Sequence, residues 1–319
     1  MRIQVLVLDG VFDIGLAAVL DTLATANDLA GDGRSASRFV VERVGLRRRV
    51  QTQQGLIVPV EPAGLGRAPD LVVVPALGCK TPETLTAALA RRDVAEAGAW
   101  LRHRAKAGAR VAAACTATFV LAESGLLDGR VATTTWWLAP LFRQRYPKVE
   151  LDDSRMIVEA GRFASAGAAL AHLDLALWLV RRRSPALAAL TARYLILDSR
   201  SSQASYAIPD HLAHADPAVE RFEKWARRHL VDRFSLEEAA RAVGTSERTL
   251  ARRLHRVLGK TPLEYVQDLR VERAVHLLQT SDGTVDEIAA EVGYGDGVTL
   301  RTLLRRKTGR GVRELRVRN

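Results

Sequence analysis

Ser235-Leu-Glu-Glu-Ala-Ala-Arg-Ala-Val-Gly244 and Thr284-Val-Asp-Glu-Ile-Ala-Ala-Glu-Val-Gly293 are two copies of one pattern. In each, a hydroxyl residue is followed three positions later by Glu (Ser235 with Glu238, Thr284 with Glu287), the capping box that satisfies free amides at a helix start. Apolar residues at helical spacing follow. Each copy stops at Val-Gly, where Gly244 and Gly293 supply a left-handed turn that a side chain would resist. A second amphipathic helix comes after each glycine. The first carries Leu250, Leu254 and Leu258 on one face and Arg248, Arg252 and His255 on the other. The second carries Leu300, Leu303 and Leu304, opposed by Arg301, Arg305 and Arg306. Helix, tight turn, then a helix with an apolar back and a cationic front is the form that enters a major groove. One such hairpin alone would favour an ordinary bundle with solvated charges. The doubling of caps, turns and spacing favours two helix-turn-helix motifs in an all-α C-terminal domain.

The stretch from Val219 to Val317 resembles the DNA-binding domain of the AraC/XylS transcription regulators. The second motif of that family runs roughly Ile-Ala-x-x-Val-Gly-Tyr and is present as Ile288-Ala-Ala-Glu-Val-Gly-Tyr294. The family usually places an aromatic on the buried side of the second recognition helix, where this chain has Leu300 and Leu304. Leucine is close in volume and equally apolar, so the packing is expected to survive. Exposed recognition-helix positions are the candidates for base readout: Arg248, Ala251 and Arg252 in the first helix, Gly297, Arg301 and Thr302 in the second. Arginine's two-pronged donor geometry suits guanine O6 and N7. Ser246 is expected to cap its helix, with a phosphate contact from the same amide-rich end. His255, Arg305 and Arg306 complete the expected DNA-binding set.

The formal charge of +11 over 319 residues favours a polyanionic partner, here double-stranded DNA. The densest cationic run is C-terminal: Arg301, Arg305, Arg306, Lys307, Arg310, Arg313, Arg316 and Arg318 face one acid, Glu314. No secretory or membrane segment is expected, since the apolar run from Ala166 to Val180 contains His172 and Asp174 and is too short to span a bilayer. Two cysteines, Cys79 and Cys115, suffice for neither a disulfide framework nor a metal cage. A cytoplasmic protein without metal or cofactor is the expectation.

The first half has a different pattern. Ile3 to Leu8, Phe39 to Val44, Leu71 to Val74 and Val111 to Ala114 are short β-branched or apolar runs, separated by helical patterns at Leu16 to Leu29, Thr84 to Lys106 and Phe119 to Ser124. Strands alternating with helices predict a doubly wound, flavodoxin-like α/β domain with a parallel sheet. In such sheets ligands sit at the carboxyl ends of the strands. Asp13 follows the first strand, Ala76-Leu77-Gly78 the third and Cys115-Thr116 the fourth. Ala113-Ala-Cys-Thr-Ala117 places a cysteine at a strand-to-helix corner, the position of a nucleophile elbow. Amides at a helix N-terminus favour thiolate there.

This stretch resembles the PfpI-type members of the class I glutamine-amidotransferase-like superfamily. The resemblance extends through Ala122-Glu-Ser-Gly-Leu-Leu-Asp-Gly-Arg130, Thr133-Thr-Thr-Trp136 and Ser165-Ala-Gly-Ala-Ala-Leu-Ala-His-Leu-Asp-Leu-Ala-Leu177. Joined to an AraC-type domain, the chain resembles the GlxA family of regulators. Hydrolytic members of the superfamily commonly have His directly after the nucleophile, where this chain has Thr116; many relatives have His before the tryptophan, where it has Thr135. Asp13 replaces the more usual Glu. His103 and His172 lie in helical patterns. No catalytic set is therefore assigned. The ligand-binding candidates are Asp13, Ala76, Leu77, Gly78, Cys115, Thr116, Thr135 and Trp136. A carboxylate at Asp13 with an aromatic wall at Trp136 suits a cationic or amino-acid-derived metabolite. At least one of Trp136 and Trp137 should be core.

The expected organisation is a sensor domain over 1–185, a linker over 186–216 and a DNA-binding domain over 217–319. The expected function is a transcription regulator in which a small-molecule effector alters presentation of the DNA-binding domain. The resemblance also implies a homodimer through the N-terminal domain, and RNA polymerase is a further candidate partner. The alternatives are a cysteine-dependent hydrolase or lyase with a nucleic-acid-binding appendage, and a regulator with Cys115 as redox switch.

Overall fold

Strands that are apolar on both faces must lie inside a sheet covered on both sides, and Ile3, Val5, Leu71, Val73, Val111 and Ala113 are all at most 1% exposed. The computed structural model describes residues 1–31, 38–198, 200, 202–203 and 216–316. In chain order the first compact unit, Met1–Gln203, contains β1 (Arg2–Leu6), α1 (Asp13–Ala30), β2 (Val40–Gly45), β3 (Arg49–Gln51), β4 (Ile57–Pro59), β5 (Glu61–Pro62) and β6 (Leu71–Val74). It continues with α2 (Pro82–Leu89), α3 (Arg92–Lys106), β7 (Arg110–Ala114), α4 (Ala117–Glu123), β8 (Val131–Ala132) and α5 (Ala139–Arg145). It ends with β9 (Glu150–Leu151), β10 (Ile157–Ala160), β11 (Phe163–Ala166), α6 (Ala171–Arg183) and α7 (Pro185–Tyr194).

Among the described residues the main sheet has seven strands in the order β10-β11-β7-β6-β1-β2-β5, and only the β10–β11 pairing is antiparallel. Ile3 pairs with Leu71 on one side and Val41 on the other, which puts β1 in the interior. The doubly wound, flavodoxin-like fold is as the alternation of strands and helices indicates. Two features differ from expectation. The helical pattern from Thr84 to Lys106 breaks at Arg91, which is extended (φ −69°, ψ 145°) and reaches the Asp9 carbonyl at 2.7 Å and the Asp93 carboxylate at 2.9 and 2.6 Å. The stretch expected as a linker begins inside α7, which packs on α1 and α6. Farther along, Arg200, Ser202 and Gln203 bond back into the α/β unit. Residues 199, 201 and 204–215 of that stretch lie outside the described residues, as does Arg318.

The second unit contains α8 (Pro217–Arg228), α9 (Leu236–Ala242), α10 (Glu247–Leu258), α11 (Pro262–Thr280), α12 (Val285–Glu291), α13 (Gly297–Thr308) and α14 (Val312–Leu315). It has two small cores that share one helix. From α11, Tyr265, Val266 and Leu269 enter the core built by Val219, Phe222, Leu250 and Leu254. Val271, Ala274, Leu277 and Leu278 of the same helix enter the core built by Ile288, Leu300 and Leu304.

Candidate functional site

The strand ends of the α/β unit bring together most of the residues named from sequence. Phe12 N donates to Ala76 O at 2.8 Å and Gly78 N to Gly10 O at 2.7 Å, so the loops after β1 and β6 are laced to each other. The Thr116 hydroxyl donates to Leu77 O at 2.7 Å, which ties in the loop after β7. Thr135 lies against the Cys115 thiol. Asp13, at the start of α1, accepts Gln54 N on one oxygen at 3.2 Å; its other oxygen is buried with no hydrogen-bond partner among the described residues. Trp136, directly after Thr135, is half-buried in a short 3₁₀ turn and packed edge-on against Trp137, also half-buried, at 5.4 Å. Neither tryptophan is fully buried core.

Cys115 has φ +56°, the strained left-handed conformation of an elbow residue. Its amide donates to Ala166 O at 2.9 Å and its carbonyl accepts the Thr134 hydroxyl at 2.8 Å. The expectation of a thiolate does not hold. Burial, at 4% exposure, pushes the thiol up to about 12; the Thr116 amide and the hydroxyls of Thr135 and Thr116 pull the other way and are outweighed.

Among the described residues, no base serves this thiol. His172 is fully buried, its Nε2 accepting Ala76 N at 3.1 Å and its Nδ1 bonded to Ala169 O at 2.5 Å. A ring bonded in this way is neutral, with the proton on Nδ1. Burial lowers its pKa to about 4. Gly15 leaves room for it: a Cβ there would stand 2.7 Å from Nε2. His103 is exposed on α3. Among the described residues, no group of three or more metal-ligating side chains occurs. Cys79 is half-buried, and burial raises its thiol as well.

Sequence reasoning missed three parts of this site. The loop after β3 covers it: Gln53 N donates to Val11 O at 3.0 Å, and a Cβ on Gly78 would meet the Gln53 side-chain oxygen at 1.9 Å. His172 carries the Ala76 loop. Gln203 is fully buried behind the Thr133–Thr135 wall, its Nε2 donating to Thr134 O at 2.8 Å and to the Thr133 hydroxyl at 3.2 Å, while its Oε1 accepts Ala168 N at 2.9 Å. The only sequence signal was the Thr-Thr-Thr run itself, since Gln203 sits in a turn-rich stretch.

In the second unit each recognition helix is set by its cap and its leucines. Ser246 Oγ accepts Thr249 N at 3.3 Å, and Leu250, Leu254 and Leu258 are buried. Thr284 and Glu287 form the full reciprocal box at 3.2 and 2.7 Å; at Ser235 only the bond from Glu238 N, at 3.3 Å, forms among the described residues. Arg248, Arg252, His255, Arg301, Thr302, Arg305 and Arg306 are exposed, and Ala251 is half-buried. None of Arg248, Arg252, Arg301 and Arg305 is held in an ion pair among the described residues. Gly297 is the exception to the expected set. It is buried at the first turn of α13, its amide donates to Asp286 at 2.8 Å, and a Cβ would stand 2.7 Å from that carboxylate. Gly297 therefore faces its own domain. Arg253 and Arg256 also turn inward in part, to the Asp216 carboxylate at 3.3 and 3.2 Å.

Comparison with known proteins agrees with both halves. Residues 1–182 match the DJ-1/PfpI family and residues 239–318 the helix-turn-helix domain family. The HTH-type transcriptional regulator GbdR of Pseudomonas aeruginosa is 27% identical over 293 residues, covering 91% of this chain and 77% of that protein. The crystal structure of an AraC family transcriptional regulator from Pseudomonas putida is similar with a TM-score of 0.51 at 22% identity, over 61% of this chain and 98% of that one. Drosophila melanogaster DJ-1beta gives 0.50 at 18% identity, over 62% and 98%. These two share the fold of the α/β unit. The chain belongs to the DJ-1/PfpI family and carries an AraC-type helix-turn-helix domain after its α/β domain.

Proposed function

We infer that the chain is a sequence-specific DNA-binding transcription regulator whose α/β domain senses a small molecule. The observation that carries this reading is the pair of helix-turn-helix motifs built on one shared helix, α11, each with a leucine-backed recognition helix bearing exposed arginines. A helix common to both cores holds two groove-reading helices on one body, suited to successive major-groove segments about 34 Å apart. Arg248, Arg252, His255, Arg301, Thr302, Arg305 and Arg306 are the contact set, with Ser246 at the amide-rich start of α10 beside a phosphate.

The sensor reading rests on a strand-end site that keeps the elbow geometry without its chemistry. Its cysteine is buried and protonated, and the buried His172 that holds the Ala76 loop is neutral with both nitrogens engaged. A hydrolase or lyase needs a base within reach of the nucleophile, and a redox switch needs an accessible thiolate. The buried, unpartnered oxygen of Asp13 supports a cationic or amino-acid-derived effector. Asp13, Ala76, Leu77, Gly78, Cys115, Thr116 and Thr135 form its site in this reading, with Trp136 at the rim. Dimerisation through the α/β domain, action in the cytoplasm and contact with RNA polymerase complete the proposal. Among the described residues, no helix is long and apolar enough to cross a membrane.

Enrichment of random duplexes by the full chain tests the DNA reading. It should return two elements about one helical turn apart, with guanine opposite Arg248 or Arg252. Arg252→Ala should weaken binding by roughly 1 to 3 kcal/mol and relax one base pair; an equal loss on every sequence would reduce Arg252 to a phosphate contact. A metabolite screen by thermal shift tests the sensor, since a ligand of the native state raises its stability. Cys115→Ser should still respond to the effector so found.

A further inference from the structure

Recognition helices α10 and α13 occupy equivalent places in the two motifs. Ser246 and Asp296 cap them, Leu250 with Leu254 and Leu300 with Leu304 are their fully buried anchors, and Gly259 and Gly309 end them in the left-handed conformation. The register this sets makes Arg248 correspond to Val298, Arg252 to Thr302 and His255 to Arg305. At 3.6 residues per turn these positions lie opposite the leucines, on the outward face. The outward stripe of the second helix therefore begins not at the buried Gly297 but at Val298. Val298 is 67% exposed, whereas the other large apolar side chains of its helix, Leu300, Leu303 and Leu304, are at most 6% exposed. One turn on, the Thr302 hydroxyl donates to Val298 O at 3.0 Å, so its hydrogen is used within the helix.

An apolar side chain held outward at the N-terminal end of a recognition helix, ahead of Arg301 and Arg305, has one apolar counterpart among base edges. That counterpart is the 5-methyl of thymine. Resting on the reading of this chain as a sequence-specific DNA-binding regulator, we propose that Val298, supported by Thr302, is a specificity-determining residue that reads a thymine methyl group. The two half-motifs then differ in chemistry. The first selects guanine through Arg248 or Arg252; the second selects an A·T pair by apolar contact, with Arg301, Arg305 and Arg306 supplying phosphate contacts.

The test uses duplexes enriched from a random pool by the full chain. Wild type should select a thymine at one position of the second element. Replacing that thymine by deoxyuridine removes only the methyl and should weaken binding about four-fold, the worth of one buried methyl group. Val298→Ser changes an exposed position and leaves the leucine core intact; it should bind the thymine and deoxyuridine duplexes equally and lose the thymine from its own enriched sequences. Equal binding of the two duplexes by wild type at every thymine overturns the proposal while leaving sequence-specific binding standing. The same four-fold drop persisting in Val298→Ser also overturns it. A pool with no enriched sequence overturns both the proposal and the regulator reading on which it rests.

Discussion

Cys115 stands where a strand ends and a helix begins, and the corner itself is written in the run Ala113-Ala-Cys-Thr-Ala117. What the run does not disclose is that the thiol is packed away from water. Pushed up to about 12, its pKa keeps it protonated throughout the neutral range. Iodoacetamide at about pH 8, near the ordinary cysteine pKa, should therefore leave Cys115 unmodified in the native chain and label it only after unfolding, as read by peptide mass spectrometry. Rapid native labelling would restore the redox reading. His172 makes a second prediction. Its folded pKa, about 4, lies below the ordinary 6.5. The unfolded chain takes the proton first as pH falls, so the stability due to the neutral ring is complete above about pH 6.5 and is lost on the way down to about pH 4, by about 3 kcal/mol. Urea unfolding of wild type should weaken more steeply across that window than unfolding of His172→Gln. Parallel curves would show that the ring is protonated or solvated in the native state. The residue types at this site were legible, but their protonation states depend on burial by segments far away in sequence.

At the scale of elements, the two glycine turns look interchangeable in sequence and are not so in space. Gly244 has φ +72°, and a Cβ there would meet nothing within 4 Å, whereas Gly293 has φ +83° and a Cβ would stand 2.6 Å from Val231 O and 2.9 Å from an Arg270 nitrogen. Gly244→Ala should cost the left-handed strain alone, roughly 1 to 2 kcal/mol. Gly293→Ala adds a collision with backbone that fixes the second motif against the first, and its loss should be on the order of 3 kcal/mol or more. Urea unfolding measures both, and equal losses would contradict the packing of Gly293 on the Leu230–Val231 carbonyls. Helices with strong caps were legible because their signals are local. The break at Arg91 was not, since it depends on a partner at Asp9, and neither was the β3–β4 hairpin, whose strands have three residues each.

On the scale of the whole chain, the α/β unit does not end where its α/β pattern does. The segment after α7 returns to the sheet, with Arg200 on Asp174 and Gln203 behind the Thr133–Thr135 wall. A chain cut after residue 185 loses α7 from the surface of α1 and α6 and leaves the partners of Gln203 unsatisfied, each buried group costing about 1 to 3 kcal/mol. A chain cut after Gln203 keeps both. The shorter fragment should melt well below the longer one or aggregate, and equal melting temperatures of two soluble fragments would remove Gln203 from the structural account.

The tandem Val-Gly pattern, with its caps and its leucines at helical spacing, determined by itself that two helix-turn-helix units lie in the C-terminal part, because capping and periodicity act within a few residues. The alternation of apolar runs with helical patterns determined the α/β class in the same way. Only the tertiary structure decided that α11 serves both cores, that Gly297 faces inward and Val298 outward, that Cys115 is buried and that His172 is neutral. Each of these depends on which surfaces meet across long stretches of chain: burial sets whether a group is charged, and packing sets which side of a helix remains free to touch DNA.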